Sequence, residues 1–488
     1  MFLKSLPVET RQQVFQNLTI KSLFNCVLVD RHLCREAMPL LWRNPLVYGS
    51  SASRQAVNTY IECLLFEKQN YLINEGIPNV PVSATPFFEY PVFLQSLRTS
   101  TLRTGVEFWL FGHYDSQETQ TDIVLKTLLE LIFEKSHIKV LKDIPFHLQE
   151  KKFIGAPWGL LSFDPLESFQ NLKELQLDFP HGSPGHFDLF LNNITSLCSI
   201  KLASYLPLQK INIKDGDTNR IIDLIYSQPK LYDLEISHIL FSNNTKKILK
   251  TFNTSTTFLK SLVFSYVDFR AIKTSVIFKI LASLDNIRHL EIEGCVGLEI
   301  STPFQGSTRF KNLEYLKYNN YIGTASPALL FLIVKASIER LVHLCIFQFT
   351  QISRDILLTI LSKGSELRTL RLHQLELNEF DGFKKYFHAF PLLEEFSCDI
   401  NPQFAHDERL FQIAELLPTT MKKLVLQTRY GYEYGDIHPT GTAENFILHT
   451  KAPLTRLFLG IPFNELDQKL LEKRGIDATD DENKGIFK

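Results

Sequence analysis

Apolar residues recur along the chain in one short pattern, apolar-x-x-apolar-x-apolar, and it returns at nearly constant intervals. Clear copies are Leu172/Leu175/Leu177, Leu197/Ile200/Leu202, Leu231/Leu234/Ile236, Leu259/Leu262/Phe264, Ile287/Leu290/Ile292 and Leu313/Leu316/Tyr318. The series continues through Leu341/Leu344/Ile346, Leu367/Leu370/Leu372, Leu393/Phe396/Cys398, Met421/Leu424/Leu426 and Leu454/Leu457/Leu459, with a weaker copy at Ile138 and Leu141. From Leu234 to Leu424 the central residues are separated by 28, 28, 26, 28, 26, 26 and 28 positions. A single triplet is common by chance, whereas consecutive steps held to so narrow an interval are not. The alternation inside each copy predicts a short strand buried on one side.

Between the triplets the apolar spacing becomes helical. Within 353–362 it falls on Ile356, Leu357, Ile360 and Leu361; similar sets are Leu329, Leu330, Ile333 and Val334, then Ile277, Ile280, Leu281 and Leu284, then Ile248, Leu249 and Phe252. Ser275, Ser353, and Ser326 followed by Pro327 are placed to cap these helices. Each unit is thus a strand followed by a helix, neither of which buries its apolar face alone, so stacked units must share a core. This resembles the leucine-rich repeats with helical outer sides, over about residues 104–465. The resemblance implies an α/β horseshoe of parallel concave strands and convex helices, with a period of about 26–28. The family prefers Asn or Cys three residues past the third apolar position, and here only Cys295 and Asn401 obey. A less regular side-chain ladder is therefore expected.

Residues 1–47 follow a different grammar, with no triplet and dense helical spacing. Leu6-Pro7 opens a helix carrying Val14, Phe15 and Leu18; Leu23, Phe24, Val27 and Leu28 follow on a second; Met38-Pro39-Leu40-Leu41-Trp42-Arg43 closes the module. This stretch resembles the F-box through its Leu-Pro start with Glu9, its Val14-Phe15 pair and its Leu41-Trp42-Arg43 end. It departs where the family often carries Trp and this chain has Leu33. The resemblance implies docking on the Skp-type adaptor of a cullin–RING ubiquitin ligase, with Leu6, Pro7, Leu23 and Val27 in the apolar interface. A helical segment of this size buries little core by itself, which independently calls for a partner surface.

The connector, 48–103, opens with one helix expected over 53–75, carrying Val57, Tyr60, Ile61, Leu64 and Leu65. Pro78, Pro81, Pro86 and Pro91 then forbid a continuous helix, and the interleaved Phe87, Phe88, Tyr90 and Phe93 are expected to cap the end of the repeats. Residues 466–488 read as a polar tail, disordered at its end.

Composition changes the picture chiefly by exclusion. Apolar residues make up 44% of the chain and charged ones 22%, an ordinary globular balance. With 52 basic and 53 acidic residues the net charge is −1, which argues against a nucleic-acid partner. The seven cysteines form no CxxC pair, so reduced core thiols are expected and neither a metal nor another cofactor is. Lys4, Glu9 and Arg11 interrupt any signal peptide, and the densest apolar run, 328–334, is far short of the roughly 20 residues of a membrane span. A soluble protein of the cytoplasm or nucleus, with no membrane partner, is expected. No phosphate loop, GxSxG elbow or HExxH helix appears, so no catalytic residue is assigned and no enzyme is expected.

The informative surface is then the concave one. Residues flanking the central apolar position face it, beginning with Glu174, Gln176, Asp178, Lys201, Asp233, Glu235, Glu291 and Glu293. Later positions include Lys317, Cys345, Phe347, Arg371, His373, Val425 and Phe458, and His343 is placed equivalently to His373. Glu174, Asp178, Asp233, Glu235, Glu291, Glu293, Arg371 and Phe458 are the candidate target contacts, the carboxylates forming a shared negative field. The expected function is a substrate-recognition adaptor of an SCF-type ligase; a ligase-independent scaffold and a small-molecule-dependent receptor are the alternatives.

Overall fold

A computed structural model describes residues 6–47, 50–81, 86–111, 118–145, 169–178, 194–203, 211–212, 215–240, 247–249, 258–298, 309–320, 327–348, 354–373, 387–400, 409–428, 442–459 and 465–478. The chain divides into two compact units, Met1–Leu234 and Glu235–Lys488. The expected module 1–47, the connector and the first repeats thus share one unit.

In the first unit, helices α1 (Val8–Gln16), α2 (Ile20–Val29) and α3 (Arg31–Leu41) close around Phe15, Leu23, Leu33 and Ala37. Pro7 stands at the start of α1, Thr19 caps α2 by accepting from Ser22 N, and Asp30 caps α3 by accepting from His32 N and Leu33 N. Leu33 fills a position in this core. Arg11 is buried and pins the module: its guanidinium donates to Glu36 at 2.7–3.1 Å and to the Leu6 carbonyl at 2.6 Å.

The single helix expected over 53–75 is two, α4 (Ser50–Glu62) and α5 (Phe66–Asn74). Cys63 N and Leu64 N turn back to Tyr60 O and Ile61 O, tightening the last turn of α4. Gln69 Nε2, from the next helix, donates a second hydrogen bond to Ile61 O, which ties α5 to the end of α4. Trp42 meets Tyr60 edge-on at 5.6 Å and Tyr90 at 4.2 Å, Tyr90 lying on the short α6 (Tyr90–Phe93). Arg43 O accepts from Gln95 N and Ser96 N, at the start of strand β1 (Ser96–Arg98), which the sequence pattern did not announce. Helices α7 (Thr99–Phe111) and α8 (Glu118–Lys135) precede the parallel strands β2 (Val140–Pro145), β3 (Glu174–Asp178) and β4 (Ser199–Ala203). Leu97, Leu141, Leu175 and Ile200 align across β1–β4. The short β5 (Ile211–Asn212) and a helix at Asp215–Tyr226 follow, and β6 (Asp233–Ser237) carries the division between the units.

The second unit holds β7 (Ile239–Leu240), β8 (Ser261–Ser265), β9 (His289–Glu293), β10 (Tyr315–Asn320), β11 (His343–Gln348), β12 (Thr369–His373), β13 (Glu395–Ile400), β14 (Lys423–Thr428) and β15 (Arg456–Phe458). Strands β8 to β15 are parallel, each paired with the next. The central triplet residues Leu262, Leu290, Leu316, Leu344, Leu370, Phe396, Leu424 and Leu457 align in one continuous row, at most 1% exposed. Helices at Thr274–Ala282, Pro327–Ser337 and Arg354–Lys363 bury Ile277, Ile280, Leu281, Leu329, Leu330, Ile333, Val334, Ile356 and Ile360. The periodicity therefore fixed both register and buried faces, a mixed α/β arrangement of leucine-rich-repeat-like kind.

Details differ from expectation. Ser275 lies inside its helix and Lys273 occupies the cap without a side-chain bond, while Ser326, Ser353, Phe252 and Asn401 fall outside the described residues. Cys295 is buried and its thiol donates to Phe264 O at 3.5 Å and Glu293 O at 3.4 Å, as a ladder residue should. The stretch read as a polar tail begins with a helix, Glu465–Arg474, that buries Leu471; Leu457 N donates to Asp477 O and Asp477 N to Thr455 O beyond it.

Candidate functional site

On the helical module, α2 carries two different apolar lines. Leu23 is core and Val27 packs half-buried against it. Ile20, Phe24 and Leu28 follow at intervals of four on another side, 47%, 56% and 70% exposed, with Val29 beside them. Of the four residues assigned to an adaptor interface, Leu23 is thus withdrawn into the module's own core. Pro7 is exposed, and Leu6 is half-buried with its carbonyl held by Arg11. The line Ile20–Phe24–Leu28 was hidden in the sequence because every apolar residue of α2 lies at helical spacing.

The acidic column does not form one uniform field. In the first unit Lys142 Nζ lies 3.6 Å from Glu174, and Gln176 donates to Asp143 at 3.0 Å. Asp178 ends β3 in register with Ala203, and its side chain is outside the described set. Asp233 is exposed, while Glu235 accepts from Ser237 Oγ at 3.0 Å.

In the second unit the polar face forms register rows. His289 Nε2 meets Glu291 Oε1 at 2.8 Å, and Lys317 Nζ lies 3.4 Å from Glu291 and 3.2 Å from Glu293. Burial raises the Glu291 carboxyl, but the His289 hydrogen bond and Lys317 outweigh it and hold it below the ordinary range. Burial likewise pulls Lys317 down, and the two carboxylates carry it net upward. Further along, Arg371 and Lys423 both reach Glu395, at 2.8 and 3.2 Å. The expectation of mutually reinforcing carboxylates is corrected accordingly: cations two dozen or more residues away in the chain interleave with them.

Rings occupy the same face. His289 stacks on Tyr315 at 4.1 Å and Phe347 on His373 at 4.3 Å. His343 and His373 are not equivalent, because His343 aligns with Thr369 and bonds its Oγ1 at 2.9 Å, whereas His373 aligns with Phe347. Burial lowers the pKa of His343. Cys345 and Phe347 are buried by neighbouring side chains despite facing this side, and burial pushes the Cys345 thiol up to about 11. Phe458 is half-buried, aligned with Val425.

Among the described residues no group of three or more His, Cys, Asp or Glu is arranged to hold a metal, and no helix is long and apolar enough to cross a membrane. No family model and no curated protein matches the chain. Among solved structures it is similar to the leucine-rich repeat-containing protein LegL7 from Legionella pneumophila, with a TM-score of 0.34 and 14% identity, covering 63% of this chain and 98% of that one. The leucine-rich-repeat-like reading rests on the aligned triplets themselves.

Proposed function

We propose that the chain is a substrate-recognition adaptor of an SCF-type ubiquitin ligase, acting in the cytoplasm or nucleus. The helical module docks on a Skp-type adaptor and thereby on the cullin–RING assembly, while the polar strand faces hold a target protein. The chain performs no covalent chemistry and speeds ubiquitin transfer by proximity. The observation that carries this reading is the Ile20–Phe24–Leu28 line, exposed on a three-helix module whose core is already complete without it. Covering one such side chain contributes about 1.5–3 kcal/mol, so three of them suit a docking face. Leu6, Pro7 and Val27 would flank it.

The test is co-purification of the full chain with the Skp-type adaptor and cullin. Phe24→Glu with Leu28→Glu should abolish recovery of both while the melting temperature holds, and Leu6→Ala with Pro7→Ala should weaken it. Undiminished recovery from the double Glu variant would sink the assignment. Adaptor recovered without cullin would favour a ligase-independent scaffold.

A further inference from the structure

Four of the hydrogen-bonding groups on the polar face of β9 and β10 belong together. Among the described residues Glu291 and Glu293 share the cation Lys317, and Glu291 also meets His289, so two carboxylates face one ammonium at this corner. Asn319, in register with Glu293, donates from Nδ2 to Glu293 Oε1 at 3.2 Å. It is 5% exposed, and among the described residues its Oδ1 has no hydrogen-bond partner. The amide cannot be turned to cure this, since its oxygen would then face the carboxylate. A buried acceptor left open costs about 1–3 kcal/mol and requires an explanation. Beside it the Tyr266 ring lies across Gly294, where an added Cβ would come within 2.5 Å of the ring, and offers an apolar flank next to Glu293.

These groups specify a ligand chemistry. A second ammonium would duplicate the place of Lys317, which bridges the carboxylates as a point charge. A guanidinium instead presents five donors in a planar fork, able to serve a Glu293 oxygen and Asn319 Oδ1 together after a small rotation of the amide. We infer that the Glu291–Glu293–Asn319 corner of the second unit takes an arginine side chain of the partner protein. This deepens the proposed target-binding role and rests on it; among the acidic candidates it selects Glu291 and Glu293.

The experiment uses the full chain and a position-scanning library of short random peptides, with Skp-type adaptor recovery measured in parallel. Arginine should be enriched roughly tenfold over glutamine at one position, the selection given by a pair contributing about 1.4 kcal/mol. Glu293→Gln should remove the enrichment. Asn319→Val should remove it as well while the melting temperature stays level or rises, because the open acceptor disappears. Lysine enriched as strongly as arginine, no arginine enrichment in the parent chain, enrichment surviving either substitution, or a lower melting temperature for Asn319→Val would each overturn the inference. Adaptor recovery reports on the ligase reading alone, so failure of that reading is seen separately.

Discussion

Leu290 and Glu291 are adjacent in β9 and meet opposite surroundings, because successive side chains of a strand point to opposite faces. Leu290 is fully buried between Leu262 and Leu316, so Leu290→Ala should cost about 2–5 kcal/mol and Leu290→Asp more, an unpaired charge having been added to the lost packing. Thermal melting checks both; an unchanged Leu290→Asp variant would contradict a buried row. Glu291 is favoured as the anion in the folded state. Its contribution is therefore complete above the ordinary carboxylate value of 4.5 and is lost as pH falls through the lowered one. Glu291→Gln should accordingly flatten the fall of melting temperature below that value. His343 is favoured neutral, so its folded environment loses stability as pH drops below the ordinary 6.5. His343→Gln, which retains a partner for Thr369, should flatten that separate limb.

At the scale of elements, α2 separates core from surface within a single turn. Leu23→Ala should destabilise the module by about 2–5 kcal/mol, whereas Phe24→Ala should change its melting little, as an exposed side chain does. Equal effects would mean that the Phe24 face is covered within the chain. Trp42 joins this module to the connector through Tyr60 and Tyr90, and the adjacent Arg43 carbonyl receives the amides that begin β1. Trp42→Ala should therefore cost about 3 kcal/mol and expose the connector near Tyr90 to limited proteolysis. Survival of the connector under protease would place the junction elsewhere.

For the molecule as a whole, the open edges of parallel strands are the hazard, since unpaired N–H and C=O groups recruit other chains. In the first unit the Arg43 carbonyl takes the amides entering β1; in the second, Asp477 pairs with Thr455 and Leu457 beside β15. The helix Glu465–Arg474 delivers that last segment. A chain ending at residue 459 should thus lose its cap and self-associate in sedimentation velocity, with a lower melting temperature. A monodisperse truncated chain would show that the helix is dispensable.

The amino-acid sequence by itself determined the strand rows and the helices between them. Burial on one face of every strand demands an apolar residue at each register position, and stacking repeats that demand every 26–28 residues where anyone can count it. What only the tertiary structure decided was which polar groups meet. Lys317 and Glu293, or Arg371 and Glu395, are 24 residues apart in the chain and become neighbours only through strand pairing. Likewise His343 and His373 share a residue type and lie in neighbouring repeats but differ in register, while Phe24 and Leu23 share a helix and differ in exposure. A hydrophobic period is written locally, whereas charge pairing, register of single polar residues and the exposed side of a wholly apolar helix depend on what the rest of the chain brings alongside.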